Sequence, residues 1–357
     1  MRLQKKFTQI SCLLLAALCF AIPSAASCQK LPQPVRVWSI GPLVQRVASS
    51  SALSASTAPL AATRSMVFAG DRIVLASRSD KQPEAATASQ TAFQLISLDA
   101  ETGAVKDTRE ITSSSHLNLF ATADAHVIVS GSNLMRLTPD LKDAGAVEVG
   151  ADGNKLGKVE NISPDGARLG NSTNPGFELI DATTLHSAKL SLSPAADASV
   201  NSKGFVTNTQ QWSGEYPGET SFLTYVDGNG SYLIYHGRCG GKPQFLSDTL
   251  ILEPGCKKPF VINTSGDTIK TLALSGDFSF AGVSRDGTRF ALEVGQYTSD
   301  HILQTERFVI YSTETWKPIA EINPEYIRDD PSWTAFSADG SLFVVGSPVR
   351  LALYRIP

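Results

Sequence analysis

The amino-acid sequence predicts an all-β fold, and three observations support this prediction. A strand-turn-strand phrase recurs, most clearly around Ser163-Pro164-Asp165-Gly166, Ser284-Arg285-Asp286-Gly287 and Ser337-Ala338-Asp339-Gly340. Charged residues make up only 18% of the chain, and no sustained helical heptad is present. Apolar strand-like runs and the turns before them each count to seven. Short strands repeated in this way are typical of a seven-bladed β-propeller.

The third strand of each predicted blade is an apolar run. The seven runs are Phe93 to Leu98, Leu134 to Leu137, Phe177 to Ile180, Phe222 to Val226, Phe260 to Ile262, Phe308 to Tyr311 and Leu351 to Tyr354. Leu95 and Leu351 are 256 residues apart, so the six intervals average about 43 residues. That spacing is expected for blades of four strands.

The turn between the first and second strands of each blade gives the same count. Its seven copies are centred on Asp71, Asp124, Asp165, Lys203-Gly204, Asp248, Asp286 and Asp339. Asp-Gly is found in only three of them, where glycine supplies the positive φ that a two-residue hairpin turn demands. These turns lie on one face of the predicted ring, and we interpret them as folding signals.

The two ends of the chain are predicted to share the last blade. Leu351 to Tyr354 leaves that blade one strand short, and Val35 to Ile40 is an isolated strand-like run that could complete it. Closing the ring in this way removes an exposed strand edge. We therefore assign residues 28–64 to a tether and closing strand, and residues 65–357 to the propeller.

The chain resembles WD40-like and YVTN-like seven-bladed propellers through its Ser-x-Asp-Gly turns and the phrase Leu98-Asp99-Ala100-Glu101-Thr102-Gly103. The resemblance covers residues 35–357 and implies the fold. The same phrase is similar to one in quinone-binding dehydrogenase propellers, whose blades dock on a tryptophan that follows it. No tryptophan follows Gly103 closely, so we expect no cofactor.

Residues 1–27 have the pattern of an export signal, with three basic residues followed by a short apolar run that ends at Pro23. Ala25-Ala26-Ser27-Cys28 resembles a bacterial lipobox, which implies lipidation of Cys28. With Gln29 after the cysteine, the resemblance implies an outer-membrane lipoprotein that faces the periplasm or the cell surface. Cleavage near Ser24-Ala25-Ala26 would instead give a soluble periplasmic or secreted protein.

Cysteine number favours lipidation. Two of the five cysteines leave with the signal, and three remain, which are Cys28, Cys239 and Cys256. An odd thiol is unusual in an oxidising compartment, and lipidation of Cys28 would leave the other two free to pair. Cys239 precedes the first strand of blade five and Cys256 follows its second strand. These two positions lie on one face, so we predict a Cys239–Cys256 disulfide.

No motif for catalysis, metal binding or nucleic-acid binding is present. The sequence lacks a Gly-x-Ser-x-Gly elbow and a His-Glu-x-x-His pair, and its five histidines are scattered. Removal of the basic residues of the signal leaves 28 Lys and Arg against 34 Asp and Glu, a net charge near -6. That charge does not indicate a basic surface for nucleic acid, and we expect no nucleic-acid partner.

The longest connections fall on the face opposite the turns. They follow the second strands of blades one, four and six, and a further long segment leads into blade seven. Rigid scaffolds present binding residues on such loops, and aromatic side chains contribute much of the binding energy. The candidate partner-binding residues are Trp212, Glu215, Tyr216, Tyr297, His301, Tyr326 and Arg328.

These features predict a non-enzymatic β-propeller of the cell envelope that binds a protein or glycan partner through its long-loop face. The alternatives are a hydrolase of the lactonase type, which would need a His, Glu and Arg cluster in the central channel, and a lipoprotein scaffold in envelope assembly. Whether the chain is an enzyme stays open, although binding is the leading hypothesis.

Overall fold

A computed structural model describes residues 31–41, 65–78, 91–113, 117–132, 134–145, 159–173, 176–191, 198–212, 219–237, 241–254, 258–274, 276–297, 303–324, 333–347 and 350–357. The export signal and Cys28 lie outside these residues, as do Cys239 and Cys256. The described part of the chain is all-β, with no apolar helix of membrane-spanning length.

The described strands form seven antiparallel sheets, which are the seven blades of a propeller. Blade 1 contains β2 to β5 (Ser65–Ala69, Arg72–Arg78, Thr91–Asp99, Val105–Ser113). Blade 2 contains β6 to β8 (Asn118–Ala121, Val127–Ser130, Leu134–Leu137). Blade 3 contains β9 to β12 (Val159–Ile162, Arg168–Thr173, Gly176–Asp181, Ser187–Ser191). Blade 4 contains β13 to β16 (Ser199–Val200, Gly204–Trp212, Glu219–Asp227, Gly230–Gly237).

The remaining blades follow the same order. Blade 5 contains β17 to β20 (Gln244–Phe245, Leu250–Glu253, Phe260–Asn263, Thr268–Thr271). Blade 6 contains β21 to β24 (Asp277–Val283, Arg289–Tyr297, Leu303–Ser312, Pro318–Ile322). Blade 7 contains β25 to β27 (Trp333–Phe336, Leu342–Ser347, Arg350–Arg355) and β1 (Val35–Ile40). Each predicted apolar run is the third strand of its blade, which confirms the strand count.

The predicted closing strand is confirmed. Strand β1 pairs antiparallel with β27 from Val35 opposite Arg355 to Ile40 opposite Leu351, with a bulge between Arg36 and Trp38. The indole Nε1 of Trp38 also donates to the Ala100 carbonyl of blade 1 at 2.9 Å. Strand β1 therefore completes blade 7 and contacts the blade where the ring begins.

The core of the propeller is divided among the interfaces between blades. The described residues form seven buried apolar clusters, and each joins two adjacent blades. One of them contains Ile40 and Leu353 of blade 7 together with Phe68 and Leu98 of blade 1. Because burial of apolar surface is the main favourable term in folding, the contact between the last and first blades stabilises the closed ring.

The Ser-x-Asp-Gly turns follow one hydrogen-bonding scheme, which is clearest between β21 and β22. Ser284 Oγ donates to the Asp286 carboxylate at 2.6 Å and accepts from the Arg289 N–H at 3.0 Å. Gly287 has φ +69°, as the sequence predicts, but the connection spans the five residues between Val283 and Arg289. Our expectation of a two-residue turn at the Asp-Gly copies is therefore wrong. The five-residue connection is closed by Ser284 Oγ, which bonds both to Asp286 within the turn and to the N–H of Arg289 at its end.

The copy in blade 2 lacks Asp-Gly but keeps the five-residue geometry with other residues, whereas the connections in blades 1, 4 and 5 are shorter. In blade 2, Ala125 takes the glycine position with φ +63°, and Thr122 Oγ1 donates to Asp124 at 2.6 Å. Blade 2 also has three strands in the described part of the chain, extended by an isolated antiparallel bridge from Leu137 to Asp143.

Candidate functional site

Two faces of the propeller carry different connections. The turn face holds the connections between the first and second strands, and the hairpin face holds those between the second and third strands. On the hairpin face, β14 and β15 are nine residues long and pair as far as Trp212 opposite Glu219. Strands β22 and β23 pair as far as Tyr297 opposite Leu303.

Blades 4 and 6 project beyond blade 2 on the hairpin face. Strands β7 and β8 of blade 2 have four residues each, whereas β14, β15 and β22 have nine. At about 3.4 Å per residue, five additional residues extend a hairpin by about 17 Å. Among the described residues, the hairpins of blades 4 and 6 are therefore longer than that of blade 2, and the seven-residue pairing of β3 with β4 in blade 1 is intermediate.

Two of the predicted partner-binding residues lie at the ends of strands in the long hairpins. The backbone of Trp212 ends β14 and that of Tyr297 ends β22, both on the hairpin face. Glu215, Tyr216, His301, Tyr326 and Arg328 lie outside the described residues, and their assignment stays a prediction. Cys239 and Cys256 also lie outside the described residues, so the disulfide between them stays a prediction.

The inner strands of the blades enclose a central channel that contains a cavity of about 290 Å³. Its walls combine apolar and polar surface in similar amounts, and Phe120, Ile162 and Phe280 are half-buried there. The polar lining residues are Glu160, Asn161, Ser163, Ser199, Gln244, Arg285 and Thr334. Arg285 lies in the turn that follows β21, whereas Glu160 lies near the start of β9, so these charged residues are toward opposite ends of the channel.

Arg285 reaches across the channel mouth on the turn face. Its Nη1 donates to the Ala123 carbonyl at 3.2 Å, which links the turn of blade 6 to that of blade 2. Burial lowers the pKa of the Arg285 guanidinium, and the nearby negative charge of Asp124 partly opposes that shift. The guanidinium is thus partly removed from water at the entrance of a cavity whose walls include Phe120, Ile162 and Phe280.

Asp124 belongs to a separate polar cluster on blade 2. Arg136 Nη2 donates to its carboxylate, and His126 Nδ1 lies 3.2 Å from its Oδ1. Burial alone would raise the pKa of Asp124, but hydrogen bonds from Thr122 and Arg136 and the charges of Arg136 and His126 lower it to about 2. Asp124 is therefore ionised and engaged by its own blade.

Among the described residues, no group of three or more His, Cys, Asp and Glu side chains could hold a metal ion. The described lining of the channel contains Glu160 and Arg285 but no histidine. The channel thus offers one cation at the turn face and an anion near the other end, which is an arrangement suited to binding a charged group.

Sequence reasoning missed the Arg285 contact because the turns were interpreted as folding signals alone. The sequence does carry a signal for it. Arg285 is the charged residue among those that precede the Asp position in the seven copies of the turn. In chain order these residues are Gly70, Ala123, Pro164, Ser202, Ser247, Arg285 and Ala338. Closure of the ring places Pro164, Arg285 and Ala338 in the lining of one channel.

Comparison with known proteins identifies the fold. No family model and no curated protein match the sequence. A chain in the crystal structure of a mitotic checkpoint complex is similar, with a TM-score of 0.52 and 12% sequence identity over 86% of this chain and 98% of that one. In all, 545 chains of solved structures match, so the likeness is to a widely used fold. The chain is a seven-bladed β-propeller, as its repeated turns predict.

Proposed function

We propose that this propeller is a non-enzymatic binding platform that engages a protein partner through its hairpin face. The observation that carries the proposal is the projection of the hairpins of blades 4 and 6, which end at Trp212 and Tyr297. Projecting loops on a rigid scaffold place side chains where a partner can contact them. The similar chain from the mitotic checkpoint complex belongs to a protein assembly, which supports protein binding as the use of this fold.

The proposed location is the cell envelope of a bacterium. The export signal and the lipobox-like segment before Cys28 support an outer-membrane lipoprotein, and in that case the platform would act as a membrane-tethered scaffold. Labelled palmitate should enter the wild-type chain and not Cys28→Ser. Equal labelling of both chains would contradict lipidation at Cys28, and absence of label in both would favour the soluble periplasmic form.

Site-specific photocrosslinking in intact cells tests the binding face. A photoreactive amino acid replaces Gln211 or Gln296, which are exposed near the ends of the long hairpins. Two exposed control positions lie elsewhere, with Asp71 on the turn face and Lys270 on the outer strand of blade 5. We expect a protein adduct from the hairpin positions and none from the controls. Adducts from Asp71 or Lys270 alone would contradict the proposal.

A further inference from the structure

The lining of the channel includes Pro164, Arg285 and Ala338 from the turns of blades 3, 6 and 7, and Arg285 is the charged residue among these three. The side chains of Ala338, and of Ala123 on blade 2, are small. The Arg285 side chain therefore has room to cross the opening, as its 3.2 Å hydrogen bond to the Ala123 carbonyl on blade 2 demonstrates.

Most of the donors of Arg285 remain available. A guanidinium carries five N–H groups in a planar fork, and the Ala123 carbonyl is the one acceptor that Arg285 engages among the described residues. No described carboxylate forms an ion pair with it. Asp124 is nearby, but Arg136 and Thr122 already donate to its carboxylate oxygens.

The surroundings of Arg285 suit a small anion that carries an apolar group. The cavity behind it is about 290 Å³, near the lower end of the range for small-ligand sites, which is about 300–1,000 Å³. Phe120, Ile162 and Phe280 are half-buried in its walls. An ion pair formed away from bulk water is stronger than one at an open surface, and a planar carboxylate matches the fork of a guanidinium in a bidentate pair.

We propose that the turn-face mouth of the channel binds a carboxylate attached to a small apolar group, with Arg285 as the residue that holds the carboxylate. Such a group could be a free carboxylic acid or the C-terminal carboxylate of a peptide that ends in an apolar residue. The site is on the opposite face from the proposed partner surface. It can therefore be present whether or not the hairpin face binds a protein.

Three probes that share an isobutyl group test the proposal. They are 4-methylpentanoate for a free acid, N-acetyl-leucine for a peptide terminus, and N-acetyl-leucinamide as the neutral control. Each is titrated into the full chain labelled with ¹⁵N-arginine, and the Arg285 Nε–H resonance, assigned from its loss in Arg285→Lys, reports binding. We expect at least one acid to bind tenfold or more tightly than the amide, because a charge-assisted bidentate pair forms only with the acids.

The two acids distinguish the source of the carboxylate. Tighter binding of N-acetyl-leucine favours a peptide terminus, and tighter binding of 4-methylpentanoate favours a free acid. Arg285→Gln should weaken acid binding at least tenfold, whereas Lys203→Gln, which removes an exposed charge from the same face, should leave it unchanged. Equal binding of acids and amide by the wild-type chain would overturn the proposal without reliance on any variant. Equal acid affinity of the two Gln variants would also overturn it.

Discussion

The Ser-x-Asp-Gly turns allow a quantitative test of how the blades are stabilised. In blade 7 the Asp339 carboxylate accepts hydrogen bonds from Ser337 Oγ at 2.7 Å, the Ser341 N–H at 3.1 Å and Ser341 Oγ at 2.9 Å. A hydrogen bond contributes about 1 kcal/mol net to the free energy of unfolding. The two bonds from Ser341 should contribute less than that, because water can replace them on the exposed side of the turn. Asp339→Ala should therefore lower the free energy of unfolding by about 2 kcal/mol.

Asp71 is the control for this change. It lies in the two-residue turn Gly70-Asp71 of blade 1, its side chain is 85% exposed, and its described side-chain contact is a 3.9 Å ion pair with Arg72. Such a surface pair contributes little, so Asp71→Ala should change stability by less than about 0.5 kcal/mol. Guanidinium denaturation of the two variants and the wild-type chain measures the difference. Equal effects of the two substitutions would refute the role assigned to the turn hydrogen bonds.

The same variant predicts a pH dependence. The hydrogen bond from Ser337 lowers the pKa of Asp339, against the opposing effect of burial and with further help from Ser341. A carboxyl group with a lowered pKa in the folded state stabilises the fold above its unfolded pKa of about 3.8, and that contribution is lost as the pH falls further. The stability difference between wild type and Asp339→Ala should therefore shrink below about pH 4. A difference that is constant with pH would contradict an ionised Asp339 as the acceptor.

Three further predictions concern other parts of the ring. Gly103→Ala should lower the free energy of unfolding by more than about 1 kcal/mol, because Gly103 has φ +68° and a Cβ there would lie 2.7 Å from Ile40 Cδ1. The control Gly41→Ala should be nearly neutral in the same denaturation experiment, because no atom lies within 4 Å of a Cβ at that position. The pKa of Asp124 is lowered to about 2, so the wild-type chain should lose free energy of unfolding as the pH falls from about 4 to about 2. Asp124→Asn should make the free energy of unfolding less dependent on pH in that range. The expected difference is about 1 kcal/mol, because solvent screens a carboxylate that is 42% exposed. Burial raises the pKa of Tyr311 to about 12, so ultraviolet titration of the native chain should show a late-ionising tyrosine that Tyr311→Phe removes, and an unchanged titration would contradict its burial.

The strand order of the propeller is predictable from sequence because it depends on local patterns. Apolar runs such as Phe308 to Tyr311 become buried third strands, and the Asp-Gly turns place a positive φ where glycine is needed. The closing strand is also predictable, because Val35 to Ile40 is a strand-like run and the last blade would otherwise have an unpaired edge. The length of these turns is not predictable in the same way. The five-residue connection of blade 6 depends on the hydrogen bonds that Ser284 Oγ forms with Asp286 and with the N–H of Arg289.

The channel mouth is harder to predict because it depends on closure of the ring. Ala123 and Arg285 are separated by 162 residues, and no periodic pattern indicates that their two turns face each other. The cluster of Asp124, His126 and Arg136 depends in a similar way on pairing between neighbouring strands of blade 2. Long-range contacts of this kind depend on the number of blades, which the sequence indicates. They also depend on the conformation of individual side chains such as Arg285, which the sequence does not indicate.

The most direct test of the ring is a disulfide between its two ends. Val35 and Arg355 are directly opposite each other in the pairing of β1 with β27, and opposite residues in antiparallel strands have Cα atoms about 4.5–5.5 Å apart, within the range for a disulfide. Val35→Cys with Arg355→Cys should therefore form a cross-link that peptide mapping detects after oxidation. Val35→Cys with Arg350→Cys, about 17 Å away along β27, should not. Absence of the first cross-link, or equal formation of both, would contradict closure of the seven-bladed ring by strand β1.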